Sequence, residues 1–298
     1  VKGDFGIKTL QLDAWKVRYD YGMEVSKPVN GQMDYNHLWF DTLQLGARNI
    51  TYHMNNASVH GEITHGTLKE RSGLECEKLL AHLCIDHNHL QLKELWMQTP
   101  HSKVSGKAYL RWNAFEPLSN EKLTADLRAH IGKKDVVCLA GTFMPKEMAT
   151  AYPDSALRAE LKVEGNVDSL YIHICKMNFP QVISLEANGW ACHITDSVTR
   201  SGKLQCEVKT HDLRLLKPFI GMESLHLPPM QLSANAQMRG DNYALKGTLN
   251  EGPGTVNLNA HLQLAKMAYN AEVDIKDLQL HHFLPNDSIY ELSGWLKA

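Results

Sequence analysis

Apolar and polar residues alternate one by one through much of this chain, and this alternation constrains the fold more than any other feature. Every second residue of 255–264 is apolar, with Asn, His and Gln between. The same period recurs in residues 123–131, 157–163, 232–238 and 269–275. A period of two residues is typical of β-strands that have one apolar and one polar face.

Turn-forming residues separate the alternating segments at short intervals. Residues 239–242, 250–254, 186–189 and 201–202 contain the Gly, Asn, Asp and Pro that favour hairpins and loops. We therefore predict roughly fifteen or more strands that pair antiparallel with their neighbours along the chain.

Helical segments are few and short. Residues 135–152, 213–220 and 281–284 are the candidates, and Pro145 interrupts the first of them. Each follows the end of a strand and precedes another alternating segment, which indicates a loose internal repeat. Composition does not change sharply anywhere, so one continuous sheet over residues 1–298 is predicted, with a short helical insertion near 135–152.

Composition limits the classes of function. The 298 residues are 43% apolar, with 31 Lys plus Arg against 33 Asp plus Glu. This is enough material for a folded core, but it provides no charge field for nucleic acid or an anionic membrane surface. Apolar runs such as 136–140 are far shorter than the roughly 20 residues of a membrane-spanning helix. The chain has neither an initiator Met nor a leader, so we expect a fragment without its N-terminal anchor.

The six cysteines form none of the close pairs that build zinc or redox centres. Cys206 shares the predicted strand face of Leu204 and Val208, where free Cys behaves as a small apolar residue. A disulfide between Cys175 and Cys192 is the alternative, because these two residues flank a predicted hairpin.

The sequence shows no catalytic or metal-binding motif. His87 with His89, and His281 with His282, lack Cys or carboxylate ligands at the expected spacings. Glu160 and Glu164 lie on the polar face of one strand, where solvated charge is the ordinary explanation. No nucleophile elbow or phosphate-binding glycine loop occurs. We expect a protein that is not an enzyme and needs no metal or cofactor.

An apolar sheet face must be covered, and this chain has few helices that could cover it. The sheet could fold over into a packed sandwich or leave an apolar groove open to acyl chains. Composition alone favours the sandwich, whereas the many alanines at inward positions suit a groove.

Three segments of the chain carry motifs that recur in a known protein family. Residues 90–106 contain a strand of the form L-x-L-x-x-L followed by T-P-x-S. Residues 131–136 precede Met-Pro at 144–145 and Tyr-Pro at 152–153. Residues 274–280 lead through a short helix to Leu-Ser-Gly at 292–294. In these segments the chain resembles the AsmA/TamB-like family, in particular the TamB-like proteins of the Bacteroidetes type, and the likeness runs through most of the chain.

The resemblance implies an all-β fold, an elongated antiparallel sheet curled into a taco-like groove with a few short helices. It implies an interior fragment of a periplasmic protein that an N-terminal helix anchors in the inner membrane. Such a protein carries phospholipid acyl chains between inner and outer membrane and serves outer-membrane biogenesis. An outer-membrane β-barrel insertase would be a partner only through parts of the protein outside this sequence.

We therefore predict a periplasmic lipid-transfer conduit, whose groove is lined by apolar residues of the alternating strands. These residues are Leu157, Leu161, Val163, Ile183, Leu185, Leu232, Met238, Val256, Leu258, Leu262, Val273 and Ile275. One alternative is an assembly scaffold for outer-membrane proteins that adds partner strands to its sheet edges. Another is a carbohydrate-binding, adhesin-type β-protein, which would need aromatic residues together on a polar face.

Overall fold

A computed structural model describes residues 4–22, 31–55, 57–116, 119–140, 143–144, 146–216, 227–284 and 291–298. These residues form one antiparallel sheet of 17 strands, so the predicted all-β antiparallel fold with a few short helices is confirmed. The strands are β1 Asp4–Asp20, β2 His37–His53, β3 Ser58–Glu70, β4 Glu75–Cys76, β5 Lys78–Ile85, β6 His89–Gln98, β7 Lys103–Arg111, β8 Leu123–Ile131, β9 Leu157–Gly165, β10 Leu170–Phe179, β11 Ile183–Cys192, β12 Ser201–Thr210, β13 Met230–Arg239, β14 Asn242–Glu251, β15 Gly254–Gln263, β16 Ala268–Leu278 and β17 Leu292–Lys297.

The described residues include three short α-helices, α1 Lys133–Ala140, α2 Lys146–Ala151 and α3 Leu280–Phe283. The first two lie in the segment where the sequence predicts a helical insertion. Single 3₁₀ turns occur at Trp112–Phe115, Arg214–Leu216 and Leu264–Lys266. None of the helices in this part of the chain has the length and apolar content needed to cross a membrane.

Contacts divide the chain into two compact units, and β9 crosses the boundary between them. Unit 1 contains residues 1–113 and 122–159, and unit 2 contains residues 114–121 and 160–298. In each unit, successive strands pair in chain order as a meander.

Bulges interrupt the strands of unit 1. Ala14, Asn49 and Glu94 each have a φ near +53° and lie where the register of β1, β2 or β6 shifts. A bulge adds one residue to one strand and increases the local twist. The single-residue alternation of the sequence is therefore broken at these three points.

Unit 2 is more regular, since β11 to β16 pair without a register shift. The turns predicted at 186–189 and 201–202 are wrong, because both segments lie within strands β11 and β12. Gly189 is needed there for close packing rather than for a turn. A Cβ at this position would lie 2.2 Å from the carbonyl oxygen of Lys203 on the neighbouring strand.

Apart from Ala114, the buried apolar side chains in the described part of unit 2 gather at one end of its strands. They are Phe179, Val182, Leu213, Leu215 and Leu278. Helix α3 and the 3₁₀ turn Arg214–Leu216 belong to the connections at this same end. The small core of unit 2 thus lies at the strand ends that carry these short helical segments, not along the middle of the sheet.

Candidate apolar binding face

Directly paired residues of adjacent strands point to the same side of a sheet, so the register defines the two faces of unit 2. On one side, four rows of residues run across β10 to β16, one of them continues to β17, and we call these rows the apolar face. The rows are Met177, Leu185, Val208, Leu232, Leu249, Val256 and Ile275; Cys175, Ala187, Cys206, Ala234, Gly247, Leu258, Val273 and Leu296; Ile172, Gly189, Leu204, Ala236, Leu245, Ala260 and Ala271; and Leu170, Ala191, Gly202, Met238, Tyr243, Leu262 and Tyr269.

Polar side-chain atoms are almost absent from the apolar face. Two tyrosine hydroxyls, both in the outermost row, and two cysteine thiols are the exceptions among these residues. The usual spacings within and between strands give the face dimensions of about 20 Å by about 34 Å. A surface of this kind offers contact to hydrocarbon but few hydrogen bonds.

The apolar face is not covered by a second layer within the described part of unit 2. Elements there contact their neighbours in the sheet, and Leu204, Leu232, Leu245 and Leu262 remain 38–40% exposed. The packed sandwich that composition favours is therefore wrong for these residues. These leucines keep more than a third of their surface accessible.

Small residues form a furrow across five adjacent strands of this face. Cys175, Ala187, Cys206, Ala234 and Gly247 follow one another from β10 to β14. The neighbouring row carries larger side chains on the same strands, from Met177 to Leu249. The furrow therefore runs perpendicular to the strands, with a ridge of larger side chains along one flank.

The opposite face of unit 2 is polar and its side chains bind one another. Lys176 and Glu186 form an ion pair at 3.0 Å, and Lys297 and Glu272 form another at 2.8 Å. The Thr248 hydroxyl donates to Asn257 at 3.0 Å. Solvated cross-strand pairs of this kind are the ordinary state of a wet sheet surface.

The register gathers most of the residues that were predicted to line a groove. The eight that belong to the four rows are Leu185, Leu232, Met238, Val256, Leu258, Leu262, Val273 and Ile275, and Ile183 lies at the next position of β11 on the same side. Leu157, Leu161 and Val163 share one face of β9 and are partly exposed.

The predicted groove lining omits β12 and β14, although the sequence places Cys206 on one strand face with Leu204 and Val208. Leu204, Val208, Leu245 and Leu249 lie in the same rows as the predicted residues. Their alternation was present in the sequence, but Cys206 and Gly247 weaken it at the centre of each strand. The register shows that both small residues keep the period.

The proposed disulfide between Cys175 and Cys192 is wrong. All six cysteines are free, and Cys175 lies opposite Ala187, five positions along β11 from Cys192. At about 3.3 Å per residue this separation far exceeds the reach of a disulfide. The reading of Cys206 as an apolar residue agrees with its place between Ala187 and Ala234.

Histidine side chains lie close to a thiol in unit 1 and to a carboxylate in unit 2. The Cys84 sulfur lies 3.5 Å from His89 and 3.7 Å from His60, and burial raises the pKa of this thiol. His282 pairs with the buried Glu251, and its ring contacts His281 at a centroid distance of 4.2 Å. Within the described ranges, no group of three or more metal-ligating side chains converges.

Two aromatic residues meet on the polar face. Tyr171 of β10 lies directly opposite Trp190 of β11, and each is about 40% exposed. Trp190 also lines a cavity of about 480 Å³ with Lys203, Gln237 and His261. Both aromatic side chains thus lie on the polar face of the sheet, as a carbohydrate-binding platform requires.

Comparisons with family models, with curated proteins and with solved structures find no match for this chain. The fold and the apolar face therefore define only a class, an antiparallel β-protein with one uncovered apolar sheet surface.

Proposed function

We propose that this protein binds the acyl chains of lipids on the apolar face and conducts them along it without catalysis. The observation that carries the proposal is the continuity of the four apolar rows across β10 to β16, with leucines that stay about 40% exposed. Each CH₂ group that leaves water for such a surface gains about 0.8 kcal/mol.

Hydrocarbon suits this face better than a protein partner does. Even the buried core of a protein interface is only about 65% apolar, and its polar groups find partners across the contact. The three inner rows of the apolar face offer no side-chain oxygen or nitrogen to such a partner. A lipid tail needs no partner of this kind.

The uniformity of the rows supports transport rather than storage. A tail that lies across the strands along the row from Met177 to Ile275 meets a similar aliphatic side chain on each strand, so no single position holds it tightly. We propose that the chain acts in the periplasm as part of an AsmA/TamB-type conduit, anchored in the inner membrane, that carries phospholipid between the inner and outer membranes. A β-barrel insertase of the outer membrane would contact other parts of that protein.

Leu258→Asp tests the proposal, because Leu258 lies in the apolar face between Gly247 and Val273. We expect phospholipid to copurify with the wild-type chain and bound lipid to fall about tenfold or more in the variant, since an unpaired carboxylate in contact with hydrocarbon is costly. Native mass spectrometry followed by lipid extraction measures the bound lipid. His261→Asp is the matched control, because this exposed residue of the same strand faces the polar side.

A wild-type chain free of lipid, and unable to bind a fluorescent fatty acid, would contradict the proposal and favour the assembly scaffold. Equal lipid in the Leu258→Asp and His261→Asp variants would also contradict it. Circular dichroism of both variants establishes that the sheet is retained.

Carbohydrate binding is the second candidate, and the pairing of Tyr171 with Trp190 on the polar face favours it. If this site binds sugars, titration with cellohexaose or maltohexaose should quench the fluorescence of Trp190. The Trp190→Ala variant should lose that response and keep its lipid binding. If neither sugar changes the fluorescence of the wild-type chain, this site does not bind either of them.

A further inference from the structure

The large apolar side chains at the two ends of the strands in unit 2 differ in solvent exposure. At the end that carries α3, Phe179, Val182 and Leu213 are buried. At the other end, successive connections expose apolar residues to solvent. We call this second end the loop rim, which consists of residues 114–116, 166–169, 193–200, 240–241 and 264–267.

The exposed residues of the loop rim are large and numerous. Val198 is 81% exposed and Met267 is 84% exposed. Single exposed apolar residues are normal on protein surfaces, but a set of them on adjacent loops marks an interaction surface. The other members of the set are Phe115, Val167, Ile194 and Leu264.

Backbone hydrogen bonds join each of these loops to the next. The Ile194 amide donates to the main-chain carbonyl of Asp168 at 3.0 Å. The Gly240 amide donates to the carbonyl of Arg200 at 2.7 Å, and the Leu264 amide donates to the carbonyl of Asp241 at 3.0 Å. The Val167 amide donates to Ala114 at 3.2 Å. The loop rim is thus one continuous edge, not a set of independent loops.

Carboxylates within the loop rim hold the exposed residues in place. Asp196 accepts from the Val198 amide at 2.9 Å and from the Thr199 hydroxyl at 2.6 Å. Arg200 pairs with Asp241 at 2.5 Å. These acids are occupied by the loops themselves, so the apolar tips are presented on an ordered support.

We infer that the loop rim docks on the surface of a lipid bilayer, so that acyl chains reach the apolar face from this end. The inference rests on the proposed function, because the outermost row of the apolar face, with Leu262 and Tyr269, leads directly into Leu264 and Met267. The loop rim has more carboxylates than cations, so it carries no excess of positive charge that would attract anionic lipid: Glu116, Asp168, Asp196 and Asp241 against Arg200 and Lys266. Apolar insertion therefore drives the contact, and anionic lipid is not required.

Flotation with vesicles of pure phosphatidylcholine tests this inference on the whole chain. We expect the wild-type chain to float with the vesicles, and the double variant Val198→Asp with Met267→Asp to lose about tenfold or more of its bound fraction. Val198→Leu with Met267→Leu should retain binding. Leu284→Asp, at the helix-bearing end and 41% exposed, is the matched control and should float as the wild type does.

Fluorescent fatty acid binding, measured on the same proteins, separates this inference from the proposed function. Retained fatty acid binding with lost flotation in the Asp double variant supports the docking surface. Equal flotation of that variant and the wild type overturns it and leaves the proposed function standing. A wild type that binds fatty acid but never floats also overturns it, as does a rim variant whose only change is a smaller oligomer in sedimentation velocity. Flotation of a wild type that binds no fatty acid would keep the docking surface and reject the acyl-chain conduit.

Discussion

Asp168 shows how a single side chain orders the loop rim. The Thr195 hydroxyl and amide donate to it at 2.5 and 3.1 Å, and these bonds hold the pKa of the Asp168 carboxyl below its ordinary value. A carboxyl with a lowered pKa in the folded state stabilises the fold above its unfolded pKa of about 3.9, and this contribution disappears as the pH falls further.

We therefore expect Asp168→Asn to lower the melting temperature at pH 7. The difference from the wild type should shrink as the pH falls below about 3.9, because the wild-type carboxyl then becomes protonated as well. Thermal unfolding followed by circular dichroism at several pH values measures it. Asp154→Asn is the control, since the Asp154 side chain is 96% exposed and should have little effect at any pH. A constant difference across the whole pH range would refute this role of Asp168.

At the scale of elements, the furrow across β10 to β14 allows acyl-chain binding to be tested by the rate at which its cysteines react. Cys175 and Cys206 lie in the furrow, whereas Cys192 of β11 points to the polar face. If acyl chains occupy the furrow, loading the protein with a fatty acid should slow maleimide labelling of Cys175 and Cys206 but not of Cys192. Peptide mass spectrometry reports all three sites in one experiment. Equal slowing at all three thiols would show that the fatty acid acts elsewhere.

The elements also show which parts of the fold the sequence could predict. Strands β13 and β15, and β16 where it pairs with β15, have no register shift, so their period-two pattern predicts their apolar residues correctly. In unit 1, the bulges at Ala14, Asn49 and Glu94 move later residues out of phase, and the pattern there is harder to read. The sequence predicts turns at Gly189 and Gly202 because Gly is common in turns. The backbone of a neighbouring strand lies close to both residues, and local propensity contains no information about such a contact.

The candidate site depended on information that no single strand contains. Alternation identifies the apolar side of each strand, but only the register aligns Ala187, Cys206 and Ala234 into a furrow. Burial of the face could not be predicted either, because a sandwich and an open sheet have the same alternation. A sandwich and an open sheet differ only in the contacts between residues that are far apart in the sequence.

On the scale of the whole molecule, each of the two compact units has an end that short helices close. In unit 1, the buried Thr99 hydroxyl donates to Asp135 of α1, and it accepts from the Ser102 amide at 2.7 Å. In unit 2, His282 of α3 pairs with the buried Glu251 at the end of β14. Polar side chains thus fix short helical segments at strand ends in both units.

The apolar face also bears on how freely this sequence can change. Exchange among Leu, Ile, Val and Met preserves an aliphatic surface, and such swaps usually cost less than about 1.5 kcal/mol even in packed cores. At the partly exposed Leu204, Leu232 and Leu245, the volume constraint is weaker still. Selection on such a protein would act on the period of the pattern more than on residue identity, so its sequence can drift far while the same sheet is kept.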